Sequence, residues 1–244
     1  MAAPGIGWSA EMTEHTLKQF DAELEDIRAR VLQMGGLVES QIIRAMRGLG
    51  EADLTLLDQV IGADTRVNAS EVALDEACSH IIAKRQPAAV DLRMIMAVIK
   101  TITDLERIGD EAKKIAKMAR KIHSAESSFA PRVELRHVAD LAVAMLRQAL
   151  DAFARLDVNA AADVVRQDKQ VDAEFKGILR QIITFMMEDA RTISRGLEII
   201  FIAKAIERIG DHAKNISEYV VYLVKGRDVR HIGLAGIEKE ISAS

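Results

Sequence analysis

The sequence contains one five-residue motif twice. Residues 106–110 read Glu-Arg-Ile-Gly-Asp, and residues 207–211 repeat these five letters without a change. In each copy the Glu and the Asp are four residues apart, so in a helix they share one face. Two like charges at this spacing cost roughly 0.2–0.5 kcal/mol in an isolated helix. The repeat indicates an internal duplication, and the acids suggest that each copy holds something cationic.

The spacing of the apolar residues favours helices throughout the chain. In the first 50 residues it alternates between three and four, the heptad spacing of packed helices. This seam consists of Leu17, Phe20, Leu24, Ile27, Val31, Met34 and Val38. It continues through Gly35-Gly36, a pair that is typical of a slight bend or of a close helix approach. The same periodicity predicts five further helices, at about 54–86, 89–121, 138–156, 164–185 and 193–223. With 4% aromatic residues, 14 Gly and 3 Pro, the composition also favours an all-α fold over a sheet.

Local signals mark where several of these helices begin and end. Asp53 is a plausible N-cap of the second helix, and the proline at 87 disfavours helix at the residue before it. Gly226 is expected to end the sixth helix. The Ser-rich stretch 124–131 is the most linker-like part of the chain and divides it into halves.

The second and fifth helices align in the same way as the third and sixth. Asp64 corresponds to Asp168, and Asn68 corresponds to Asp172, each 104 residues later. The sequence therefore predicts two tandem, homologous three-helix bundles, at residues 13–123 and 132–226. Residues 227–244 are expected to form a short, weakly patterned tail.

Each half places acids of its third helix near those of its second. The candidate ligands are Glu106, Asp110, Asp64 and Asn68 in the first half, and Glu207, Asp211, Asp168 and Asp172 in the second. Oxygen ligands suit hard cations such as magnesium or manganese, and clustered carboxylates also suit iron. Alternatively, Glu106 and Glu207 pair with Arg or Lys of neighbouring helices in structural salt bridges. The spacing alone leaves both interpretations open.

Several functional classes are disfavoured. The net charge of −4 gives no basic field for nucleic acid. The chain has no phosphate-cradling Gly-rich loop, nucleophile elbow or metalloprotease helix, which favours a non-enzymatic protein. It has no signal-peptide pattern, and its apolar runs fall short of the ~20 residues of a membrane span, so a cytoplasmic protein is expected. The six histidines show no ligand spacing, and most are expected at the surface or at helix caps.

The repeated motif, with its extension at 206–216, resembles the paired signature of the PhoU family. The segments Ala-Lys-Arg-Gln-Pro at 83–87 and Met-Met-Glu-Asp at 186–189 resemble the same family. The resemblance implies a negative regulator of the phosphate-starvation response and of phosphate uptake. It also implies a cytoplasmic adaptor between the nucleotide-binding subunit of the phosphate ABC transporter and the histidine kinase PhoR. Such a protein would meet the membrane only through its partners, and we expect a homodimer.

The resemblance also bears on the acidic residues. Some PhoU proteins carry iron or other metal clusters on Glu/Asp-x-x-x-Asp motifs, which implies that the eight candidate residues are ligands. In the first half Asn68 replaces an acid, and Lys114 stands where the second half has Asn215. Because both changes make the first half less negative, a metal is expected in the second half. The alternative function is a metal-binding helical bundle with a storage or enzymatic role.

Overall fold

The computed structural model describes residues 8–124, 133–230 and 232–242, with side chains from residue 19 onward. Within these ranges the chain forms seven α-helices and no strand, which confirms the all-α fold class. The first half contains α1 (Trp8–Glu51), α2 (Leu54–Arg85) and α3 (Ala89–Ser124). The second contains α4 (Arg136–Arg155), α5 (Val158–Glu188), a 3₁₀ turn (Ala190–Thr192), α6 (Ile193–Lys225) and α7 (Gly233–Ser242).

The helix ends follow the local signals of the sequence. The Asp53 side chain accepts a hydrogen bond from the backbone N–H of Leu56 at 2.9 Å, which confirms the predicted N-cap of α2. Gln86 leaves the helical region with φ 46° immediately before the proline. Gly226 takes the left-handed conformation, with φ 73°, and ends α6 as predicted. The predicted linker falls mostly on residues outside the described ranges.

The helix α7 was not predicted from the sequence, which suggested only a weakly patterned tail. It packs against α5 and α6, and its Ile237 side chain is fully buried. A helix of ten residues is marginal in water and depends on tertiary packing, so its own periodicity is too short to identify it.

The two halves share one core. The contact between α3 and α6 is the most extensive in the molecule, with α1 and α2 beside α3, and α4 and α5 beside α6. The two central helices are antiparallel, because Asp104 of α3 meets Tyr219 of α6 while Glu111 meets Arg208. The buried apolar side chains of both halves form one continuous cluster. None of the helices within the described ranges is long and apolar enough to cross a membrane.

Candidate functional site

Three acids of the second half converge between α5 and α6. One carboxylate oxygen from each of Asp168, Asp172 and Asp211 lies within 4.8 Å of the other two. Asp168 is buried, and the other two are partly buried. Oxygen ligands bind hard cations at about 2.0–2.6 Å, so oxygens on opposite sides of one ion are about 4–5 Å apart. The spacing and the chemistry of these three donors therefore fit one hard cation.

Two lysines neutralise part of this acidic cluster. Lys214 donates a hydrogen bond to Asp168 at 2.7 Å, and Lys204 donates to both oxygens of Glu207 at 2.6 Å. Glu207 is therefore engaged by an intrahelical ion pair beside the three acids. The salt-bridge interpretation expected a partner for Glu207 from a neighbouring helix, whereas the structure pairs it with a lysine of its own helix.

The cluster carries more negative charge than its lysines offset. Burial, followed by repulsion from Glu207 and Asp168, raises the pKa of Asp211. Burial works to lower the pKa of Lys214, but its hydrogen bond to Asp168 and the negative charges of Asp168, Glu218 and Asp211 together outweigh this, and the pKa is raised. Farther along α6, burial raises the pKa of Glu218 to about 7. Ionisation of these acids is thus opposed in the folded chain, and a bound cation would favour it.

The corresponding residues of the first half are arranged differently. Asp64 is buried, and it accepts a hydrogen bond from Lys113 at 2.5 Å through one oxygen. Its other oxygen is buried without a hydrogen-bond partner. Asn68 and Asp110 are exposed. Among the residues that the structure describes, only the acids of the second half come close enough together to share one ion.

Glu106 still belongs to an acidic surface in the first half. Burial raises its pKa, with further contributions from the charges of Asp110, Glu71 and Asp64. Sequence analysis did not assign Glu71 to the site, although it shares the α2 seam with Asp64. The first half thus retains the acidic residues of the repeated pattern, and they surround Lys113.

A second polar cluster, which sequence analysis missed, lies in the interface between the halves. The buried Asp104 of α3 pairs with Nδ1 of His212 at 2.6 Å. It also accepts hydrogen bonds from Asn215 Nδ2 at 3.1 Å and from the Tyr219 hydroxyl at 2.8 Å. His212 is an exception to the expectation that most histidines lie at the surface, because α3 covers it. Apolar spacing within one helix shows neither which helix covers it nor where two bundles meet.

Comparison with known proteins identifies the family. The family model described as the PhoU domain matches the chain twice, over residues 31–119 and 135–220. The chain belongs to the PhoU family. The two matches fall in the two halves that the repeated motif predicted.

Similar PhoU proteins span nearly the whole chain. A phosphate-specific transport system accessory protein PhoU homolog from Pseudomonas aeruginosa is 50% identical over 232 residues, which cover 94% of this chain and 95% of that protein. The accessory protein PhoU of Escherichia coli K12 is 47% identical over 231 residues, 95% of each chain. These names are those of accessory proteins, and they point away from an enzyme.

Solved PhoU structures share the fold. The crystal structure of PhoU from Pseudomonas aeruginosa has a TM-score of 0.81 at 50% identity and covers 85% of this chain and 100% of that one. The phosphate transport system regulatory protein PhoU from Streptococcus pneumoniae has a TM-score of 0.80 at 28% identity, covering 86% and 99%. This chain therefore shares its fold with both of these PhoU structures.

Proposed function

We propose that this PhoU chain is a negative regulator of the phosphate-starvation response and of phosphate uptake. The observation that carries the proposal is the 50% identity, over 94% of the chain, to an accessory protein of the phosphate-specific transport system. In this role the chain changes the activity of other proteins and carries out no reaction itself.

The proposed partners are the nucleotide-binding subunit of the phosphate ABC transporter and the sensor kinase PhoR. PhoU would couple them by differential binding, because a ligand shifts an equilibrium only by its unequal affinity for the two states. Long helix faces offer a surface for such contacts. At the junction of α5 and α6, five large apolar side chains are exposed, which supports a contact surface there. They are Ile183, Met187 (83% exposed), Ile193, Leu197 and Phe201.

Deletion of the gene tests the regulatory role. In phosphate-replete cells we expect the deletion to switch on the starvation response, measured as alkaline phosphatase activity, and a plasmid copy to restore repression. Unchanged phosphatase activity in the deletion strain would contradict the proposal.

The adaptor role needs a test of its own. We expect the transporter's nucleotide-binding subunit and PhoR to co-purify with tagged PhoU, in amounts that differ between phosphate-replete and phosphate-starved cells. A Leu197→Ser/Phe201→Ser variant probes the exposed surface at the α5–α6 junction, with Val72→Ser on α2 as an exposed apolar control. Equal recovery of both partners with the wild type, the double variant and the control would exclude this surface as the contact.

A second candidate function is the binding of a hard cation, such as iron, manganese or magnesium, by the second half. Asp168, Asp172 and Asp211 would be the ligands, with Glu207 beside them, and the observation that favours them is their convergence within 4.8 Å. The first-half residues Glu106, Asp110, Asp64 and Asn68 are weaker candidates, because Asn68 and Asp110 are exposed and no three acids of that half converge in the described part of the chain. A cation bound by Asp168, Asp172 and Asp211 would stabilise the contact between α5 and α6.

Elemental analysis of protein purified without chelator tests this candidate. We expect bound metal in the wild type and less of it in Asp211→Asn. The loss of one ligand should weaken metal binding by about 10–100-fold or more, by analogy with the loss of supporting groups at other metal sites. Asp110→Asn is the matched control, because it changes the equivalent residue of the other half. Negligible metal in the wild type, or equal metal in all three proteins, would contradict metal binding.

The proposed function also includes an oligomeric state and a cellular location. We infer a cytoplasmic homodimer that reaches the membrane only through its partners. Light scattering on the purified chain should give twice the monomer mass of 26.9 kDa. Fractionation of cells that lack the transporter should leave the protein in the supernatant.

A further inference from the structure

The two repeats allow the first helix of each half to be compared position by position. Gly109 and Gly210 are equivalent residues of the repeated motif. A Cβ at Gly109 would lie 3.5 Å from Gln41 Oε1 of α1, and a Cβ at Gly210 would lie 3.8 Å from Met145 Cε of α4. Gln41 and Met145 are 104 positions apart, the same offset that relates α2 to α5. Residues of α1 and α4 therefore correspond at this offset.

The two helices differ greatly in length. α1 has 44 residues, whereas α4 has 20 and begins at Arg136, which corresponds to Leu32. The turns of α1 before Leu32 therefore have no counterpart in α4. The sequence agrees with this difference, because the positions that correspond to Leu24 and Ile27 hold a serine and a proline. The apolar seam of α4 is not continued in the residues that precede it.

The extra turns of α1 fill a space at one end of the molecule. Ile27 is buried, and Phe20 and Leu24 pack against the core. On the flank of these turns, Arg28 donates a hydrogen bond to the backbone oxygen of Ala154, near the end of α4, at 2.6 Å. In the first half, therefore, an amphipathic helix segment covers the end of the neighbouring repeat.

The equivalent space in the second half is an open groove. It has a volume of about 1250 Å³ and lies between the ends of α1 and α3 and the starts of α4 and α6. Gly50 and Leu135, which correspond to Ala154 and Val31, both line it. No helix within the described part of the chain takes the place that the extra turns of α1 take in the first half. The apolar lining comes from all four helices and consists of Ile42, Ile43, Met46, Ile122, Val143 and Ile199.

The charges beside the two spaces are opposite. α2 ends with a lysine and Arg85, and Arg85 pairs with Glu23 of the extra turns at 2.7 Å. The corresponding residues at the end of α5 are Glu188 and Asp189. Glu188 is exposed, and Asp189 pairs with the exposed Arg191 at 2.7 Å. A helix that lay in the groove as the extra turns of α1 lie in theirs would meet acids where α1 meets bases.

The rim of the groove adds further acids. Glu134 and Asp140 are exposed there, and neither forms an ion pair with another described residue. Of the arginines in the described lining, Arg47 is paired with Glu51 at 2.9 Å, and Arg136 is exposed. Unpaired acids beside an apolar groove favour a basic ligand over an acidic one.

We propose that this groove, which we call the α4 groove, binds a basic amphipathic helix of another protein in line with α4. Apolar side chains of that helix, spaced three and four residues apart as in the extra turns of α1, contact the apolar lining. Its basic residues face Glu188 and the acids of the rim. Docking of an amphipathic helix in an apolar groove is a recurrent mode of recognition. The α4 groove is separate from the apolar surface at the α5–α6 junction, and the proposal does not depend on the proposed function.

A synthetic helix tests the α4 groove on the full chain. The basic probe is a peptide with the sequence of residues 17–31, in which lysine replaces the four acids. A lactam bridge on its outward face holds it helical, and a fluorescent label reports binding by anisotropy. We expect saturable binding, tighter by about five-fold or more than that of the same bridged peptide with its acids kept, because each exposed ion pair contributes modestly. Sodium chloride should reduce this difference.

Three variants of the full chain locate the binding. Ile43→Arg should weaken binding of the basic probe by about ten-fold or more, because it removes one apolar contact and adds a like charge. Val72→Arg is the matched control, since Val72 is an exposed apolar residue of α2 outside the groove. Both positions are more than 40% exposed, so neither substitution threatens folding. Glu188→Gln should weaken binding by about two- to five-fold, the effect of one exposed ion pair.

Several results would overturn the proposal. They are no saturable binding of the basic probe, equal binding of the two peptides, and equal losses in Ile43→Arg and Val72→Arg. Conversion of a dimer to a monomer by Ile43→Arg in light scattering would assign the groove to a second copy of this chain instead. Tighter probe binding in a Phe129→Ser variant would assign it to the chain's own segment 125–132.

Discussion

At the scale of single residues, Asp64 and Asp168 take equivalent places in the two halves and have the same kind of partner. Each accepts a hydrogen bond from a lysine of the following helix, Lys113 at 2.5 Å and Lys214 at 2.7 Å. The duplication has thus kept one structural ion pair in each half. What distinguishes the second half is Asp172, where the first half has an exposed Asn68. Because of Asp172, the second half keeps a negative charge that Lys204 and Lys214 do not neutralise.

The hydrogen bonds of Asp104 lead to a prediction about stability. Asp104→Ala leaves three buried or partly buried donors without their acceptor, and breaking a buried pair in this way costs about 3–5 kcal/mol. Urea denaturation measures the change in the free energy of unfolding. Asp110→Ala is the control, because its side chain is 57% exposed and surface changes usually stay within about 0.5 kcal/mol. Equal losses in the two variants would contradict the role given to Asp104.

Glu218 leads to a prediction about pH. Its pKa in the folded chain is raised by burial from 4.5 to about 7, so the folded state binds the proton more tightly than the unfolded state. Protonated Glu218 therefore contributes to the free energy of unfolding. This contribution, about 3 kcal/mol in total, is fully present below about pH 4.5 and is lost as the pH rises to about 7. Unfolding free energies of wild type and Glu218→Gln at pH 5 and pH 8 measure it. The wild type should lose more stability over this interval than the variant, and parallel losses would refute the assignment.

At the scale of helices, the sequence predicts most where the signal is local. Apolar spacing predicts α1 to α6, and the N-cap of α2 and the Gly at the end of α6 follow from single residues. The helix α7 escapes prediction, because packing on other helices stabilises it. The acids of α5 and α6 could be expected to meet because their spacing places them on facing sides. The pairing of Glu207 with Lys204 could not, since a flexible lysine has several acids within reach.

The adjacent glycines of α1 lead to a prediction at this scale. A Cβ at Gly35 would lie 2.5 Å from Leu150 Cδ1 of α4, whereas a Cβ at Gly36 would meet nothing within 4 Å. The close helix approach is therefore at Gly35. We expect Gly35→Ala to destabilise the chain by about 1–3 kcal/mol through overpacking. Gly36→Ala, its matched control, should stabilise by up to about 1 kcal/mol through helix propensity. Chemical denaturation of both variants measures the change in the free energy of unfolding. Equal changes would contradict the assignment of the close helix approach to Gly35.

At the scale of the whole molecule, the two repeats predicted from the motif are present, but the way they join could not be predicted. Periodicity identifies the apolar stripe of each helix, yet α3 and α6 bury side chains both within their own half and against each other. The polar residues at this junction, such as Asp104 and His212, appear in the sequence as isolated groups. Their pairing requires knowledge of the antiparallel register.

The shared core leads to the last prediction, which tests whether the halves at 13–123 and 132–226 are independent domains. Separation of the chain would expose the faces of α3 and α6 that now cover each other, including the buried Asp104 and Tyr219. Exposed apolar faces of this size drive association. We therefore expect fragments 1–124 and 133–244, expressed separately, to self-associate in light scattering and to unfold with a lower urea midpoint than the intact chain. Co-expression should restore a one-to-one complex, whereas a monomeric fragment with an unchanged midpoint would show that each half folds alone.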